Sequence, residues 1–372
     1  MSDNRQGNKG ASLMDSVRKE AKARKRDVQA EAQSYAIRRF IARLSVVDAQ
    51  RRVTIKGGQG MGLLFGNDRR PTKDLDINID CKGITDPHAF VREIIMAACD
   101  GPDDGVFYAA DTIRIEERRH QGLGGFRIEM NSSIHTCRTN FVIDVGIGND
   151  MSFKPIEFTL AERHKNAPPA VPVQIYPLEA TFAEKTISKV EDGAASIRHK
   201  DFWDLWHIHE VATRIGDVGL LFANTLDLDD ETLAWRDQVY ERIKDGTFLE
   251  LPQMPVDEDS LDRFGYALYR SSQRRGTEIP DDLVAFLRAE FGDHSYQSTQ
   301  FGNWIKNQKQ RLINLPPGAE DGPKELALGR LLGELEHFLQ ATSARAAAYL
   351  EDLGPVPYEE EAEEEPENAF RA

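Results

Sequence analysis

Cysteine is scarce: Cys81, Cys99 and Cys137 are the only three in 372 residues, and no two stand in a C-x-x-C spacing. An odd, scattered set excludes a disulfide framework and a cysteine-built zinc cluster, and it points to a reducing, cytoplasmic setting. Long apolar runs are missing as well. None approaches the ~20 residues that a bilayer-spanning helix needs, so no membrane partner is expected. The polar stretch Met1–Ala11 has no apolar core of the kind a secretory signal carries. Aromatic residues make up only 8%, against 29% charged and 40% apolar, the balance of a soluble globular chain long enough for two or three domains.

Net positive charge is also lacking. The total of −15 argues at first against a nucleic-acid partner, which usually meets a basic footprint. The distribution reverses that reading. Residues 1–52 carry 13 Lys and Arg against 6 Asp and Glu, whereas residues 351–372 carry 9 acids against Arg371 alone. A basic arm, an acidic body and an acidic tail follow from this split. Four regions are expected: a basic helical arm over 1–48, a core over 49–215, a helical domain over 216–350 and a disordered acidic tail over 351–372.

The arm reads as one helix from Ser12 to about Leu44, free of Gly and Pro, with Tyr35, Ile37, Phe40, Ile41 and Leu44 on its apolar face. Its first half, from Arg18 to Arg26, is either a solvated face or a contact for a phosphate backbone. From Arg52 to Pro177 the pattern turns to short strands, at Val53–Lys56, Leu75–Asp80, Val106–Ala109, Thr112–Glu117, Gly125–Asn131, Asn140–Ile147 and Val173–Tyr176, with an amphipathic helix at Pro87–Cys99. Beyond Leu178 helices dominate. The tail holds seven glutamates between Glu359 and Glu367.

The chemistry concentrates at Lys56-Gly57-Gly58-Gln59-Gly60-Met61-Gly62, which closes a strand and opens a helix over Gln59–Gly66. Gly57 and Gly58 permit positive φ and leave space for a ligand against the main chain. Successive N–H groups in such a turn suit a triphosphate. Asp74-Leu75-Asp76-Ile77-Asn78 follows. On a strand, Asp74 and Asp76 share one face, where their like charges call for a cation, and hard oxygen donors suit Mg²⁺. Asp144 sits opposite the apolar Phe141, Ile143, Val145 and Ile147 on a later strand. Three acids around two Mg²⁺ ions, roughly 3.5–4 Å apart, are the arrangement for in-line attack on phosphorus.

Two helical segments complete the set. Lys185 and Lys189 lie four apart, away from the apolar face of Ala180–Glu191, and a lysine there suits a triphosphate as a point charge. Asp201 and Asp204 neighbour each other on the next helix. Taken alone, these pairs read equally as charge pairing on solvated helices. Arg69, Arg70 and Lys73 precede the acids and are candidates for a phosphate contact. His207 and His209 lie roughly 200° apart around a helix, which is wrong for one metal, so His209 is read as packing. Trp304 with Lys306, Lys309 and Arg311 is read as an ordinary amphipathic helix rather than an RNA contact.

A glycine-pair turn, a D-x-D strand about 15 residues on, and a later strand acid together resemble the polymerase-β-like nucleotidyltransferases. More narrowly, Lys56–Asn78 with "NDRRPTKDLDIN", and Glu184–Ile208 with "EKTISKVEDGAASIRHKDFWDLWHI", are similar to the AbiEii/AbiGii toxin-type nucleotidyltransferases. The resemblance spans about Val53 to Glu210. It implies an α+β fold, a mixed sheet with helices followed by a mostly helical region. It further implies NTP as substrate, Asp74, Asp76 and Asp144 as metal-binding catalytic acids, and Gly57, Gly58, Lys73, Lys185 and Lys189 at the nucleotide. Asp204 is implied as a further essential acid, with the choices between Lys185 and Lys189 and between Asp201 and Asp204 left open. A tRNA 3′ end as acceptor, a cognate antitoxin and a role in phage defence follow from the same likeness. The family's turn carries Gly-Ser, but Gly58-Gln59 supplies no hydroxyl. An NTP-binding regulator without transfer activity and an enzyme that modifies protein hydroxyls are the alternative readings.

Overall fold

A computed structural model describes residues 3–23, 26–65, 74–120, 123–148, 152–160, 169–195, 198–215, 229–245, 247–308 and 326–355. The described strands form one mixed sheet of seven: β1 (Val53–Lys56), β2 (Asp74–Ile79), β3 (Val106–His120), β4 (Leu123–Ile134), β5 (Cys137–Ile147), β6 (Ile156–Leu160) and β7 (Val171–Ile175). Their spatial order is β3-β4-β5-β2-β1-β7-β6. The two interior pairings β2/β5 and β1/β7 are parallel, whereas β1/β2, β3/β4, β4/β5 and β6/β7 are antiparallel.

The N-terminal region is two helices, α1 (Asp3–Ala23) and α2 (Val28–Val47), where the composition alone predicts one. Asp27 divides them. Its carboxylate accepts the Ala30 N–H at 2.9 Å and so caps α2, satisfying a donor that a continuous helix would have paired within itself. The apolar face expected of this region is correct: Tyr35, Ile37, Phe40, Ile41 and Leu44 are buried. Phe40 meets Tyr108 of β3 and Phe141 of β5 edge-on, with ring centroids 5.1 and 5.6 Å apart. Burial of each such ring contributes about 1.5–3 kcal/mol, enough to fasten α2 to the sheet.

Part of the arm's charge is structural. Arg39 and Arg43 both bond Asp104, and Arg43 adds the carbonyl oxygens of Cys99, Pro102 and Val106 while covering the Tyr108 ring at 4.7 Å. Arg18, Lys19 and Lys22 of α1, by contrast, are exposed.

The helix α4 (Pro87–Cys99) begins and ends as the pattern predicts. The two strands expected at Val106–Ala109 and Thr112–Glu117 are one, because the register shift between Ala109 and Arg114 absorbs the break as a bulge. β6 was not expected; its five residues alternate too weakly to read alone.

Between β1 and β2 lies α3 (Gly57–Phe65), and after β7 come α5 (Leu178–Asp192) and α6 (His199–Ile215). The helical remainder is α7 (Asp230–Asp245), α8 (Glu258–Arg275), α9 (Leu283–Phe291), α10 (Tyr296–Gln308) and α11 (Ala327–Leu353). Phe182 of α5, Phe264 of α8 and Phe338 of α11 form a three-ring contact with centroids 5.1–5.3 Å apart. The helical region is therefore seated directly on α5.

Candidate functional site

The pairing register assembles the site. Asp76 of β2 is opposite Asp144 of β5, and on its other side opposite Lys56 of β1. Asp144 is in turn opposite Arg127 of β4, and Arg127 opposite Glu116 of β3. Paired residues share a sheet face, so Lys56, Asp76, Asp144, Arg127 and Glu116 form one charged row across five strands. Asp74 joins that face two residues before Asp76. The reverse face carries Leu75, Ile77, Ile143, Val145, Phe126 and Ile128, all buried. Alternation in β2 and β5 thus delivers the three carboxylates to one place.

Gly57 stands against them. Its φ is +56°, and a Cβ built there would lie 2.0 Å from Asp76 Oδ2. Only glycine leaves this close approach open. Gly58 does not need its freedom in the same way: it is a buried helical residue of α3 with no positive φ. At Gly60 a Cβ would meet the Ile55 carbonyl oxygen at 2.9 Å, which explains how closely α3 packs on β1. Gln59 is buried, and its Nε2 has no hydrogen-bond partner among the described residues.

Asp144 has a partner that sequence reasoning did not name. Arg127 Nη1 donates to Asp144 Oδ1 at 3.2 Å and Oδ2 at 3.3 Å. Burial nevertheless raises the Asp144 carboxyl above its ordinary value of 3.8; Arg127 opposes the rise, and the charges of Asp76 and Asp74 add to it. Among the described residues, no three His, Cys, Asp or Glu side chains stand assembled as a metal cluster. The donor set still fits a hard divalent cation. Three carboxylates share one face on neighbouring strands and crowd one another electrostatically, and Gly57 puts no side chain against Asp76.

A second polar group joins the sheet to α5. Lys56 Nζ lies 2.9 Å from Glu184 Oε1 and 4.4 Å from the Tyr176 ring centroid, and the Tyr176 hydroxyl donates to the same Glu184 oxygen at 2.9 Å. Burial works to raise the Glu184 carboxyl, but Lys56, with help from Arg275 and Tyr176, overcomes it and holds the pKa below the ordinary value.

Lys185 and Lys189 are brought to Asp201 and Asp204, and the solvated-helix reading of these pairs is overturned. Lys185 Nζ is 2.8 Å from Asp201 Oδ1 and 2.7 Å from Asp204 Oδ2; Lys189 Nζ is 3.5 Å from Asp201 Oδ2 and donates to the Arg198 carbonyl at 3.1 Å. Lys189 and Asp204 are 0% exposed. Burial depresses the Lys189 pKa, while Lys185 and then Lys189 outweigh burial and lower that of Asp201. Glu184 and Lys185, adjacent in sequence, thus tie β1 to this quartet.

His207 and His209 are packing residues. His207 lies against Trp203 with centroids 3.9 Å apart, and His209 faces Phe338 at 5.6 Å. Trp304 stacks on Phe301 at 6.0 Å. Arg69, Arg70, Lys73, Lys309, Arg311 and the glutamate run lie outside the described residues. Of the groups missed, Arg127 was readable from the alternation Phe126, Ile128, Met130 against Arg127, Glu129 and Asn131; Tyr176 carried no signal of its own.

The family model of the nucleotidyl transferase AbiEii toxin, of type IV toxin–antitoxin systems, matches residues 39–295, more than half of the chain. No curated protein matches it. Among solved structures, JHP933 from Helicobacter pylori is 12% identical with a TM-score of 0.37, covering 88% of this chain and 97% of its own. A second H. pylori protein, assigned as a candidate nucleotidyltransferase, is 13% identical with a TM-score of 0.39, covering 87% of this chain and 98% of its own.

Proposed function

Because the chain belongs to the nucleotidyl transferase AbiEii toxin family, we propose that it moves a nucleoside monophosphate from an NTP to an RNA 3′ end, with tRNA as the acceptor. The observation that carries this reading is the register pairing of Asp76 with Asp144, with Asp74 on the same face and Gly57 held open against Asp76. In the reaction an acceptor hydroxyl oxygen forms a bond to the α-phosphorus. The bond from that phosphorus to the β-bridging oxygen breaks, and pyrophosphate leaves.

Asp74, Asp76 and Asp144 would hold Mg²⁺, two ions in the arrangement proposed. Bound there, the metal supplies positive charge for the reacting phosphoryl group and acidifies the attacking hydroxyl. The chain's own groups do the positioning. The N–H groups of the Gly57–Gly58 turn and the Gln59 amide bind triphosphate oxygens. Lys73, Lys185 and Lys189 supply cationic charge on the nucleotide side, with Lys185 set by Asp201 and Asp204. Asp144 accepts the acceptor's hydroxyl proton.

An antitoxin partner and action as a growth-restraining toxin in phage defence belong to the same proposal; they rest on the type IV toxin–antitoxin character of the family. The four-region division also stands as a proposal, with the boundary near residue 215.

Incubating the pure chain with total tRNA, Mg²⁺ and each labelled NTP in turn tests the function. Label is expected on RNA, lost in Asp76→Ala and on chelation with EDTA. Label on protein instead would favour modification of protein hydroxyls. Tight NTP binding without any labelled product would favour a regulator.

A further inference from the structure

Arg127 is joined to Asp144 by one nitrogen, not by a two-pronged fork, and both groups are part-exposed, at 28% and 39% of the side chain. Such a pair is weak and can be exchanged. Its other neighbour, Glu129, is 3.8 Å from Nε. Strand order separates the two flanks of the acids. The Gly57 turn and Lys56 flank the carboxylates from β1, whereas Arg127 flanks them from β4, across Asp144. On the proposed function, the triphosphate side and Arg127 are therefore on opposite sides of the acids.

The surface beyond Arg127 is mixed in charge, with Glu116 opposite Arg127 and 4.0 Å from Arg118, but it holds one strip open to a phosphate chain. One row along, Arg118 is opposite Gly125 and Gly125 opposite Gly146. Two glycines in register leave a strip without side chains beside the Asp144–Arg127 pair, with the exposed Arg118 at its outer end. Arg114, also exposed, lies on the same face two rows back from Arg118 along β3. Two arginines, Arg118 and Arg127, therefore border a bare lane that runs up to Asp144, while Arg114 lies beyond the Arg127 row, opposite Glu129.

We propose that Arg127 is a positioning residue that exchanges partners: it holds Asp144 before loading, and, once Asp144 is engaged by its divalent cation, it holds a backbone phosphate of the RNA acceptor. This rests on the proposed role of the three carboxylates. It assigns the acceptor, not the NTP, to the β3–β4 side of the sheet. The exchange keeps Asp144 neutralised in both states, and it places the RNA end only when the acids are loaded.

The test uses the full chain with Mn²⁺ as the metal probe, read by electron paramagnetic resonance, and a short RNA with a free 3′ hydroxyl. Arg127→Met is expected to bind Mn²⁺ about threefold to fivefold more tightly, since a weak competing ion pair is gone. In the presence of Mn²⁺ its log–log salt slope for RNA is expected to be shallower by about 0.7, one phosphate contact on a single strand. Arg127→Lys is expected to restore most of the slope, a rescue that a merely structural role would not give. Affinity for a non-hydrolysable NTP is expected to stay within about twofold, as for a residue off the nucleotide side. Unchanged Mn²⁺ affinity, or an unchanged RNA salt slope, in Arg127→Met overturns the exchange. Weaker Mn²⁺ binding overturns it too, since Arg127 would then be orienting Asp144 for the metal. The underlying reading fails separately, and the exchange with it, if wild type and Asp144→Asn bind Mn²⁺ alike.

Discussion

A Cβ on Gly57 would lie 2.0 Å from Asp76 Oδ2 and 2.8 Å from its Cγ. No rearrangement of a flexible tip relieves this without moving the carboxylate itself. Gly57→Ala is therefore expected to leave the fold in place, at a cost of about 1–2 kcal/mol for the positive φ. Labelling of RNA is expected to fall about 100-fold, since a displacement near 1 Å at a reacting centre has that effect. Thermal melting and initial rates measured on one preparation check both halves. Activity within tenfold of wild type would show that Asp76 is not held where the turn demands.

Much of this site was legible because strand alternation is a strong code. Asp74, Asp76 and Asp144 were placed on polar faces by their neighbours alone, and the register then set Asp76 beside Asp144. What escaped was long-range pairing. Nothing local says that Arg127 will meet Asp144, or that Lys56 will reach Glu184 128 residues away. The basic arm misled for a related reason. Charge count does not distinguish Arg43, buried among carbonyl oxygens and Asp104, from Arg18 on the surface. The break before α2 depends on a single cap at Asp27, too small a signal against a long helix-forming run.

The raised pKa of Asp144 makes a prediction with a definite sign. A carboxyl whose folded pKa lies above its unfolded one binds protons more tightly in the fold, so its ionisation lowers stability as pH rises through that window. Asp144→Asn removes the charge. The variant is expected to be at least as stable as wild type at pH 7 in EDTA, with the gap closing as pH falls toward the ordinary value of 3.8. Added Mg²⁺ is expected to raise the melting temperature of wild type but not of the variant. Equal metal response in both would remove Asp144 from the metal site.

Asp201 behaves in the opposite way. Burial works against its charge, yet Lys185 and Lys189 hold its pKa below the ordinary value. Its contribution is therefore fully present above the unfolded carboxylate pKa and lost as pH falls through the lowered folded one. Asp201→Asn is expected to cost about 3–5 kcal/mol at neutral pH, because it leaves the buried Lys189 short of a counter-ion. Denaturant titrations at neutral and acid pH check this, and the loss is expected to shrink in acid. A variant as stable as wild type at pH 7 would mean that Asp204 alone neutralises the two lysines.

The Arg43–Asp104 group separates the arm's structural charge from its surface charge. Arg43 donates to Asp104 through Nε at 3.1 Å and Nη2 at 2.6 Å, and its remaining donors reach the carbonyl oxygens of Cys99, Pro102 and Val106. Asp104 is nearly fully buried, so deleting the guanidinium leaves its charge to Arg39, its other cationic partner among the described residues. Arg43→Ala is expected to destabilise by about 3–5 kcal/mol. Arg18→Ala, at a side chain 55% exposed, is expected to change stability by less than about 0.5 kcal/mol. RNA affinity sorts the same two variants the other way if α1 meets the acceptor: Arg18→Ala would flatten the salt dependence, whereas Arg43→Ala, refolded and assayed below its melting transition, would not. Salt slopes that are equal for Arg18→Ala and wild type would take α1 out of the RNA path and leave the β3–β4 face to carry it.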